Sequence, residues 1–317
     1  MSAAAIPLIY SARYHMDIGP HVFPTTKYRL VRERLIAAGI ARAEDVIEAE
    51  PASWDELALV HTGDYLEKIR AGDLSAAEAA LLELPWSPEM VEGFRTMVGG
   101  TVEAALIVCG LERTYPANPK SRSPNPGSIA VHIGGGLHHA FANHGEGFCP
   151  FNDVAVAVRV LQRRGIDRAA IVDLDVHHGN GSGFIFESEP RVFTFSMHQQ
   201  HNYPMWKPRS SLDIGLADGV HDATYLRELE RALPTVMAHR PQCVFYLAGA
   251  DPYEDDQLGG LRLTRDGLRR RDRLVIDAVR AAGVPLVVTL AGGYARKVED
   301  TVAIHVATIE EAIAAAG

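Results

Sequence analysis

Short apolar runs rich in β-branched residues recur along the chain and alternate with longer helix-like stretches. The runs cover 8–10, 129–133, 169–176, 192–197, 244–248 and 285–290. In two of the intervening stretches, 154–164 and 261–282, apolar residues recur every three or four positions, as in amphipathic helices. Alternating strands and helices predict parallel βαβ units, and continuously apolar strands are usually buried on both faces. We therefore predict an α/β fold, a three-layer αβα sandwich with a mainly parallel sheet.

The domain organisation follows from the same alternation. The chain has 317 residues, 47% of them apolar, which is enough to bury one large core. A segment rich in proline and polar residues, 114–127, is predicted to be a surface loop between a helix and the next strand. Strand–helix alternation continues on both sides of this loop, so an interdomain linker is the less favoured interpretation. We expect one domain over 1–317.

Charge and composition exclude several classes of function. The formal net charge is -9, and no cluster of lysine and arginine suggests binding to a phosphate backbone. No apolar stretch reaches the roughly 18 residues that a membrane-spanning helix needs, and no export signal begins the chain. Three scattered cysteines, Cys109, Cys149 and Cys243, do not form a disulfide framework or a thiolate zinc site. We expect a cytoplasmic protein that binds neither membranes nor nucleic acid directly, and the oligomeric state stays open.

Residues that can bind a metal ion follow two of the apolar runs. Asp173, Asp175 and His177 alternate along an extended chain, so their side chains share one side. Asp251 closes another apolar run and supplies a further carboxylate. A network of hydrogen-bonded polar groups is the alternative reading, but buried carboxylates without partners are costly and favour a cation. Asp175, His177 and Asp251 are the predicted ligands, which leaves room for water and substrate.

Two further clusters follow strands and carry groups suited to proton transfer. His138 and His139 come after three glycines, and in an irregular turn both imidazoles can face one pocket. Tyr294 follows two glycines after the last run, where its hydroxyl could donate a hydrogen bond to a developing oxyanion. The sequence thus predicts a metal site with a proton-transfer pair and an oxyanion donor.

These four elements, in this order, resemble the histone deacetylase family, whose fold is that of the arginases and deacetylases. The matching segments read G-G-G-L-H-H at 134–139, D-L-D-V-H-H-G-N-G at 173–181, A-G-A-D at 248–251 and G-G-Y at 292–294. The likeness covers nearly the whole chain and implies a deacetylase-like catalytic domain. The compact length, Asn180 and the L-G-G-L run at 258–261 are most like class IV and bacterial deacetylase-like amidohydrolases.

The resemblance implies zinc-dependent removal of an acetyl or longer acyl group from lysine side chains. It implies zinc on Asp175, His177 and Asp251, although an Asp-His-Asp set also suits iron(II). His138 and His139 would handle protons and Tyr294 would stabilise the oxyanion. Asp173 would orient His138, and Asn180 would orient the general base His139.

The resemblance also implies a substrate tunnel and a second ion. The tunnel residues would be Gly147, Phe148, Tyr203 and Leu258, with Tyr203 in a loop shorter than its class I counterpart. A structural potassium ion would lie beside the zinc site. The groups that match its ligands are Asp173, Asp175, His177, Ser196 and Met197.

Two departures from the family pattern affect these expectations. Many members have aspartate where this chain has Asn180, and an amide stabilises an imidazolium less well than a carboxylate does. We therefore expect His139 to be less basic. The segment 252–256 also differs from the usual class I stretch, which leaves the substrate open at the rim.

Three other functions compete with lysine deacylation. The chain could be an acetylpolyamine amidohydrolase, which performs the same chemistry on a small amine. A binuclear manganese ureohydrolase would share the fold but needs additional bridging aspartates, and here His178, Gly179 and Asn180 follow His177. A metal-binding sensor without turnover is the alternative of a different class.

Overall fold

The computed structural model describes residues 6–112 and 127–316 of the chain. The predicted surface loop at 114–127 lies outside these ranges except for Gly127. The strands are β1 (Leu8–Tyr10), β2 (Val46–Glu48), β3 (Ile129–His132), β4 (Ala169–Asp173), β5 (Val192–Gln199), β6 (Leu212–Leu216), β7 (Cys243–Leu247) and β8 (Leu286–Thr289). They form one sheet in the order β2-β1-β3-β8-β7-β4-β5-β6, and every pair of neighbouring strands is parallel. The predicted parallel sheet is confirmed.

Helices flank the sheet in two groups. The helices are α1 (Thr26–Ala37), α2 (Trp54–Leu57), α3 (Gly63–Ala71), α4 (Ala76–Leu82), α5 (Pro88–Val108), α6 (Asp153–Arg163), α7 (Asn180–Phe186), α8 (Asp222–Ala238), α9 (Arg265–Ala281) and α10 (Val298–Ala316). In one group α5 packs against α6, and in the other α1, α10, α9 and α8 pack in that order. The α/β class with helices around a parallel sheet is therefore as predicted. Within the described ranges, no helix combines the length and apolar character that crossing a membrane requires.

The sequence revealed the interior strands but not the two strands at the edges of the sheet, β2 and β6. Every residue of β3, β4, β7 and β8 is buried, which explains their continuous apolar character. By contrast, the first four residues of β6 alternate between partly buried and exposed, and β2 has only three residues. An edge strand has one neighbour and more contact with water, so no continuous apolar run marks it.

The predicted helix at 261–282 begins later than its apolar pattern suggested. Thr264 takes the position before the first turn of α9, and its Oγ1 accepts a hydrogen bond from Gly267 N at 3.0 Å. Because a threonine side chain satisfies an unpaired amide at a helix start, the helix begins at Arg265. The segment before it instead contributes an isolated parallel bridge between Leu263 and Tyr253.

Strands β3, β8, β7 and β4 are neighbours in the sheet and end at the same level. The register pairs His132 with Thr289, Thr289 with Leu247, and Leu247 with Asp173. Since carboxyl ends of parallel strands share one edge of a sheet, the four loops that follow these strands converge there. These are the loops that carry the four predicted motifs.

A buried arginine on α9 donates hydrogen bonds to the backbone of two of these loops, those after β4 and β7. Arg271 on α9 is 0% exposed, and its Nη1 donates to the carbonyl oxygen of Gly249 at 2.6 Å and of Leu174 at 3.4 Å. Its Nε donates to Asp272 Oδ1 at 2.9 Å, and Asp272 also accepts from Thr308 Oγ1 at 2.6 Å. The guanidinium therefore ties α9 to the backbone beside the predicted metal ligands.

We expect Arg271→Lys to lower the free energy of unfolding by about 1–3 kcal/mol. A lysine has one terminal nitrogen and cannot reach Asp272 and both carbonyl groups, so at least one buried acceptor loses its partner. Urea unfolding followed by circular dichroism measures the change. Arg270→Lys, on the exposed side of the same helix, is the matched control and should change stability by less than about 0.5 kcal/mol. Equal effects of both variants would contradict this role.

Candidate metal centre

Asp175, His177 and Asp251 meet at the carboxyl edge of the sheet. Their candidate ligand atoms lie within 4.8 Å of one another, and all three residues are buried. Nδ1 of His177 lies 2.9 Å from Asp175 Oδ1 and 3.4 Å from Asp251 Oδ2. Oδ2 of Asp251 is buried and has no hydrogen-bond partner within the described part of the chain. A carboxylate oxygen in that position fits a cation, because burial without a partner is otherwise costly.

The electrostatics of the three residues also favour a cation. Burial raises the pKa of Asp251, and the charge of Asp175 raises it further, to about 7. Burial lowers the pKa of His177, but interactions with Asp175 and Asp251 outweigh burial and raise it to about 10. The two carboxylates thus repel each other, and a positive charge between them would relieve the repulsion.

Gly292 makes room for both carboxylates. Its amide donates to Asp175 Oδ2 at 2.9 Å. A Cβ atom at this position would lie 2.0 Å from Asp251 Oδ2 and 2.5 Å from Asp175 Oδ2. Only glycine avoids those contacts, which explains why the turn before Tyr294 contains it.

The two predicted histidines face each other in a turn beside the metal group. Their Nε2 atoms are 3.1 Å apart, while His138 Nδ1 lies 2.6 Å from Asp173 Oδ2 and His139 Nδ1 lies 2.7 Å from Asn180 Oδ1. Burial lowers the pKa of His138, yet the charges of Asp173 and Asp175 raise it to about 9. Burial, followed by the charges of His138 and His177, holds the pKa of His139 well below its usual value.

Asp153 positions the histidine turn from the start of α6. Its side chain is fully buried and accepts hydrogen bonds from the amides of Gly136 at 2.9 Å and Leu137 at 2.7 Å. Thr101 Oγ1 donates to the same carboxylate at 2.5 Å. The preceding residue, Asn152, caps α6 by accepting from Ala155 N. The helix start therefore holds the glycine-rich backbone that presents His138 and His139.

Tyr294 lies against the same group of residues. Its ring centroid is 6.4 Å from that of His177 and 6.1 Å from that of Phe148. Its amide donates to Asp256 Oδ2 at 2.7 Å, which fixes the backbone after the glycines. Burial, together with the charges of Asp175 and Asp251, raises its pKa well above 10. The phenol therefore keeps its proton at neutral pH and can serve as a donor.

Three of the four predicted tunnel residues, Gly147, Phe148 and Tyr203, lie beside His139 or Tyr294. The ring of Tyr203 is 5.1 Å from that of His139 and 6.3 Å from that of His177. A Cβ on Gly147 would come within 2.8 Å of the His139 ring. The carbonyl oxygen of Leu258 accepts from Asn202 Nδ2 at 2.7 Å, which links Leu258 to the loop that carries Tyr203.

The residues proposed for potassium include two direct neighbours in the sheet. Asp173 at the end of β4 is the register partner of Ser196 on β5, and Met197 follows Ser196. Oδ1 of Asp173 accepts from Asp175 N at 3.2 Å, while Ser196 Oγ is 3.0 Å from His198 Nδ1. Asp175 and His177, the other two predicted potassium ligands, belong to the metal group described above.

Lys27 is a site residue that the sequence did not reveal. It is 0% exposed on α1, and its Nζ donates to Ala291 O at 2.7 Å and lies 5.5 Å from the centroid of the Tyr294 ring. Burial lowers its pKa to about 8, although Asp251 and Asp175 oppose that shift. Its neighbours in the sequence, T-K-Y-R at 26–29, look like an ordinary charged helix, so no sequence signal marks it.

A second group of possible ligands lies between β5 and β6. Candidate ligand atoms of His178, His198 and Asp213 lie within 4.8 Å of one another. His178 Nε2 is 3.1 Å from Asp213 Oδ1, but its buried Nδ1 has no hydrogen-bond partner in the described ranges. Asp213 is exposed, and its second carboxylate oxygen, Oδ2, accepts from Ser210 N at 2.8 Å. Unlike Asp251, it leaves no buried carboxylate oxygen without a hydrogen-bond partner, so this group fits a metal less well than Asp175, His177 and Asp251 do.

Comparisons with known proteins show the family to which the chain belongs. The Histone deacetylase domain model matches residues 21–309. An uncharacterized protein of Picosynechococcus sp. is 40% identical over 302 residues, which cover 94% of this chain and 95% of that one. The histone deacetylase-like amidohydrolase of Pseudomonas aeruginosa is 32% identical over 287 residues, covering 86% and 71%. The crystal structure of a homologue from Aquifex aeolicus has the same fold, with a TM-score of 0.79 at 23% identity and coverage of 97% and 84%. The chain is therefore a hydrolase of the histone deacetylase family.

Proposed function

We propose that this chain is a zinc-dependent lysine deacylase of the class IV type. It would hydrolyse the amide that joins an acetyl or longer acyl group to a lysine side chain. The observation that carries the proposal is the buried Asp251 oxygen, which has no hydrogen-bond partner among the described residues and lies 3.4 Å from His177 Nδ1, in a site with Asp175, two imidazoles and a phenol. We also propose that 1–317 forms a single catalytic domain, since all four motifs follow strands of one sheet.

Asp175, His177 and Asp251 would hold the divalent cation. Bound there, it would polarise the amide carbonyl and lower the pKa of a water molecule. Zinc is the proposed ion because of the family, and iron(II) is the second candidate because two oxygen ligands and one nitrogen also suit it. Asp173, Asp175, His177, Ser196 and Met197 are the proposed groups for a structural potassium ion.

The paired imidazoles would move the protons. Asn180 accepts from His139 Nδ1, so Nε2 of His139 is the basic atom; it would take a proton from the attacking water and deliver it to the departing amine. His138 would stay protonated, because its pKa is raised and Asp173 accepts from its Nδ1. Its positive charge would keep His139 a weak base that readily gives up the proton it has gained.

The hydroxyl of Tyr294 would donate a hydrogen bond to the carbonyl oxygen as negative charge develops there. The aromatic rings of Phe148 and Tyr203, with Gly147 and Leu258, would guide the acylated side chain toward the cation. Gly147 suits this role because a side chain there would press on the His139 ring. The amide would then reach the cation, His139 and Tyr294 in a site that excludes most water.

The proposed function is tested by comparing substrates. We expect kcat/KM for an acetyl-lysine or longer acyl-lysine peptide to exceed that for an acetylpolyamine by about tenfold. Met205 and Trp206 follow Tyr203 and are 99% and 59% exposed, so side chains next to the lysine can contact them. A polyamine offers no such side chains. Purified zinc-loaded protein, assayed with each substrate by release of the free amine, gives the comparison.

Each alternative function predicts a different outcome of the same assay. Preference for the acetylpolyamine would assign that small amine as the substrate. Absence of turnover on every acyl-amide, with metal bound, would favour a sensor. Two manganese ions per chain and urea release from a guanidino substrate would favour the ureohydrolase. Metal content is measured by elemental analysis on the protein as purified, before zinc is added.

A further inference from the structure

The Glu146 carboxylate contacts the side-chain amide of Asn180, whose other end contacts His139. Asn180 Nδ2 donates to Glu146 Oε1 at 2.7 Å, and the Tyr203 hydroxyl donates to the same oxygen at 3.0 Å. His144 Nε2 lies 3.4 Å from the other oxygen, Oε2. The Glu146 side chain is 13% exposed. Burial raises its pKa, but hydrogen bonds from His144, Asn180 and Tyr203 outweigh burial and lower it. Glu146 is therefore ionised at neutral pH.

The backbone holds Glu146 in place. Residues 146–149 form a tight turn, in which Glu146 N donates to Cys149 O at 3.1 Å and Cys149 N donates to Glu146 O at 2.9 Å. The two central residues, Gly147 and Phe148, have φ of 52° and 67°. The amide of Gly147 also donates to Leu81 O at 3.0 Å. The same turn therefore fixes Glu146 and the proposed tunnel residue Phe148.

An ionised carboxylate can only accept hydrogen bonds, whereas an amide has a donor end and an acceptor end. Glu146 therefore turns the NH₂ group of Asn180 toward itself and the oxygen toward His139. An oxygen 2.7 Å from His139 Nδ1 requires a proton on that nitrogen. The other nitrogen, Nε2, then carries no proton; it lies 3.1 Å from His138 Nε2 and is the atom that can accept one. Without Glu146, Asn180 could rotate by half a turn and favour the opposite tautomer of His139.

We propose that Glu146 is a positioning residue that fixes the orientation of Asn180 and thereby the protonated nitrogen of His139. This inference rests on the proposed role of His139 as the general base. It also accounts for the asparagine at position 180, where many family members have an aspartate that contacts the imidazole directly. In this chain the carboxylate belongs to Glu146, and the Asn180 amide lies between it and His139. Through Tyr203, the same carboxylate links the base to the tunnel wall.

The first test removes the carboxylate. We expect Glu146→Ala to lower kcat by about tenfold to a hundredfold while zinc content stays at the wild-type level. Glu146→Gln places an amide there, which can accept from Asn180 or donate to it, so it should lower kcat less than Glu146→Ala does but not leave it unchanged. Glu83→Gln is the matched control, because Glu83 is an exposed carboxylate close enough to influence Glu146 and Tyr203, whereas the side-chain hydrogen bonds of Asn180 in the described residues go to His139 and Glu146. It should leave kcat unchanged.

The second test exchanges the carboxylate and the amide between positions 146 and 180. Asn180→Asp alone would set two carboxylates about 2.7 Å apart and should lower kcat more than tenfold. Adding Glu146→Gln to that variant restores a donor opposite the new aspartate, so the double variant should recover to within about threefold of wild type. A double variant whose loss equals the product of the two single losses would overturn the inference, because a purely structural role gives no such rescue.

A third measurement does not depend on turnover. Nitrogen NMR of histidine-labelled, zinc-loaded protein reports which nitrogen of His139 carries the proton, and His139→Gln identifies the signal. We expect Nδ1–H in the wild type and a mixture of tautomers in Glu146→Ala. An unchanged Nδ1–H signal with unchanged kcat would overturn the inference. If the wild type shows no turnover on acyl-lysine, the proposed function fails, while the tautomer measurement still tests the role of Glu146.

Discussion

Asp251→Asn is expected to remove the divalent cation from the site and to lower kcat/KM on an acyl-lysine peptide by at least about a thousandfold. The loss corresponds to about 4 kcal/mol of transition-state stabilisation, the scale expected when a metal ion no longer polarises the substrate carbonyl. An amide is a much weaker ligand than a carboxylate, and Asp175 and His177 would remain as the only protein ligands. Elemental analysis and steady-state kinetics on the same preparation measure both effects.

Without bound metal, the same variant should be more stable than the wild type. Burial and the nearby charge of Asp175 raise the pKa of Asp251 to about 7. A carboxyl group whose pKa is raised on folding destabilises the folded state as pH rises above its unfolded value, and fully so above pH of about 7. After treatment with a chelator, Asp251→Asn should therefore unfold at a higher urea concentration than the wild type at pH 8. With zinc present the order should reverse.

Asp213→Asn is the matched control for the metal assignment. Asp213 belongs to the second group, with His178 and His198, so its loss should leave the metal content and turnover of the chain unchanged. Loss of metal in this variant but not in Asp251→Asn would move the metal centre to the second group. Loss of metal in both Asp213→Asn and Asp251→Asn would indicate two metal sites.

Tyr294→Phe should lower kcat by about a hundredfold to a thousandfold, which is about 3–4 kcal/mol of transition-state stabilisation. The substitution removes only the hydroxyl, and the ring contacts with His177 and Phe148 can persist. Because the interaction strengthens as charge develops on the oxygen, the change should fall mainly on kcat and little on KM. Single-turnover measurements with a saturating acyl-lysine peptide determine it.

The metal content and the urea midpoint of Tyr294→Phe provide the controls. Both should match the wild type, since the tyrosine is not a proposed ligand and its backbone stays bonded to Asp256. A variant that keeps full turnover would remove Tyr294 from the mechanism. A variant that loses metal would show that the phenol acts by shaping the site rather than by donating to the substrate.

Much of the fold was predictable because the interior strands are buried on both faces. β3, β4, β7 and β8 must be continuously apolar to lie between two layers of helices, and the sequence records that requirement directly. The edge strands β2 and β6 were missed, since contact with water on one side removes the apolar run. Thr264 likewise shortened the predicted helix at 261–282, because capping is a local contact that periodicity does not detect.

The contacts that support the site were not predictable in the same way. Lys27 and Ala291 are separated by 264 positions, and nothing in a charged helix indicates a buried lysine directed at a distant carbonyl group. Glu146 belongs to a polar loop whose sequence gives no sign of Asn180 or Tyr203 nearby. Arg271 looks like one charge among several on an amphipathic helix until its carbonyl partners are known.

The sequence by itself determined the type of sheet, the order of the four motifs and which side chains we propose to carry the chemistry. Those properties depend on local composition and on the rule that parallel strands end at one edge. Only the tertiary structure decided which groups surround those side chains: the lysine beside Tyr294, the carboxylate behind Asn180 and the unpartnered oxygen of Asp251. Hydrogen bonds and desolvation depend on distances of a few ångströms between residues far apart in the chain, and the packing of the whole domain sets those distances.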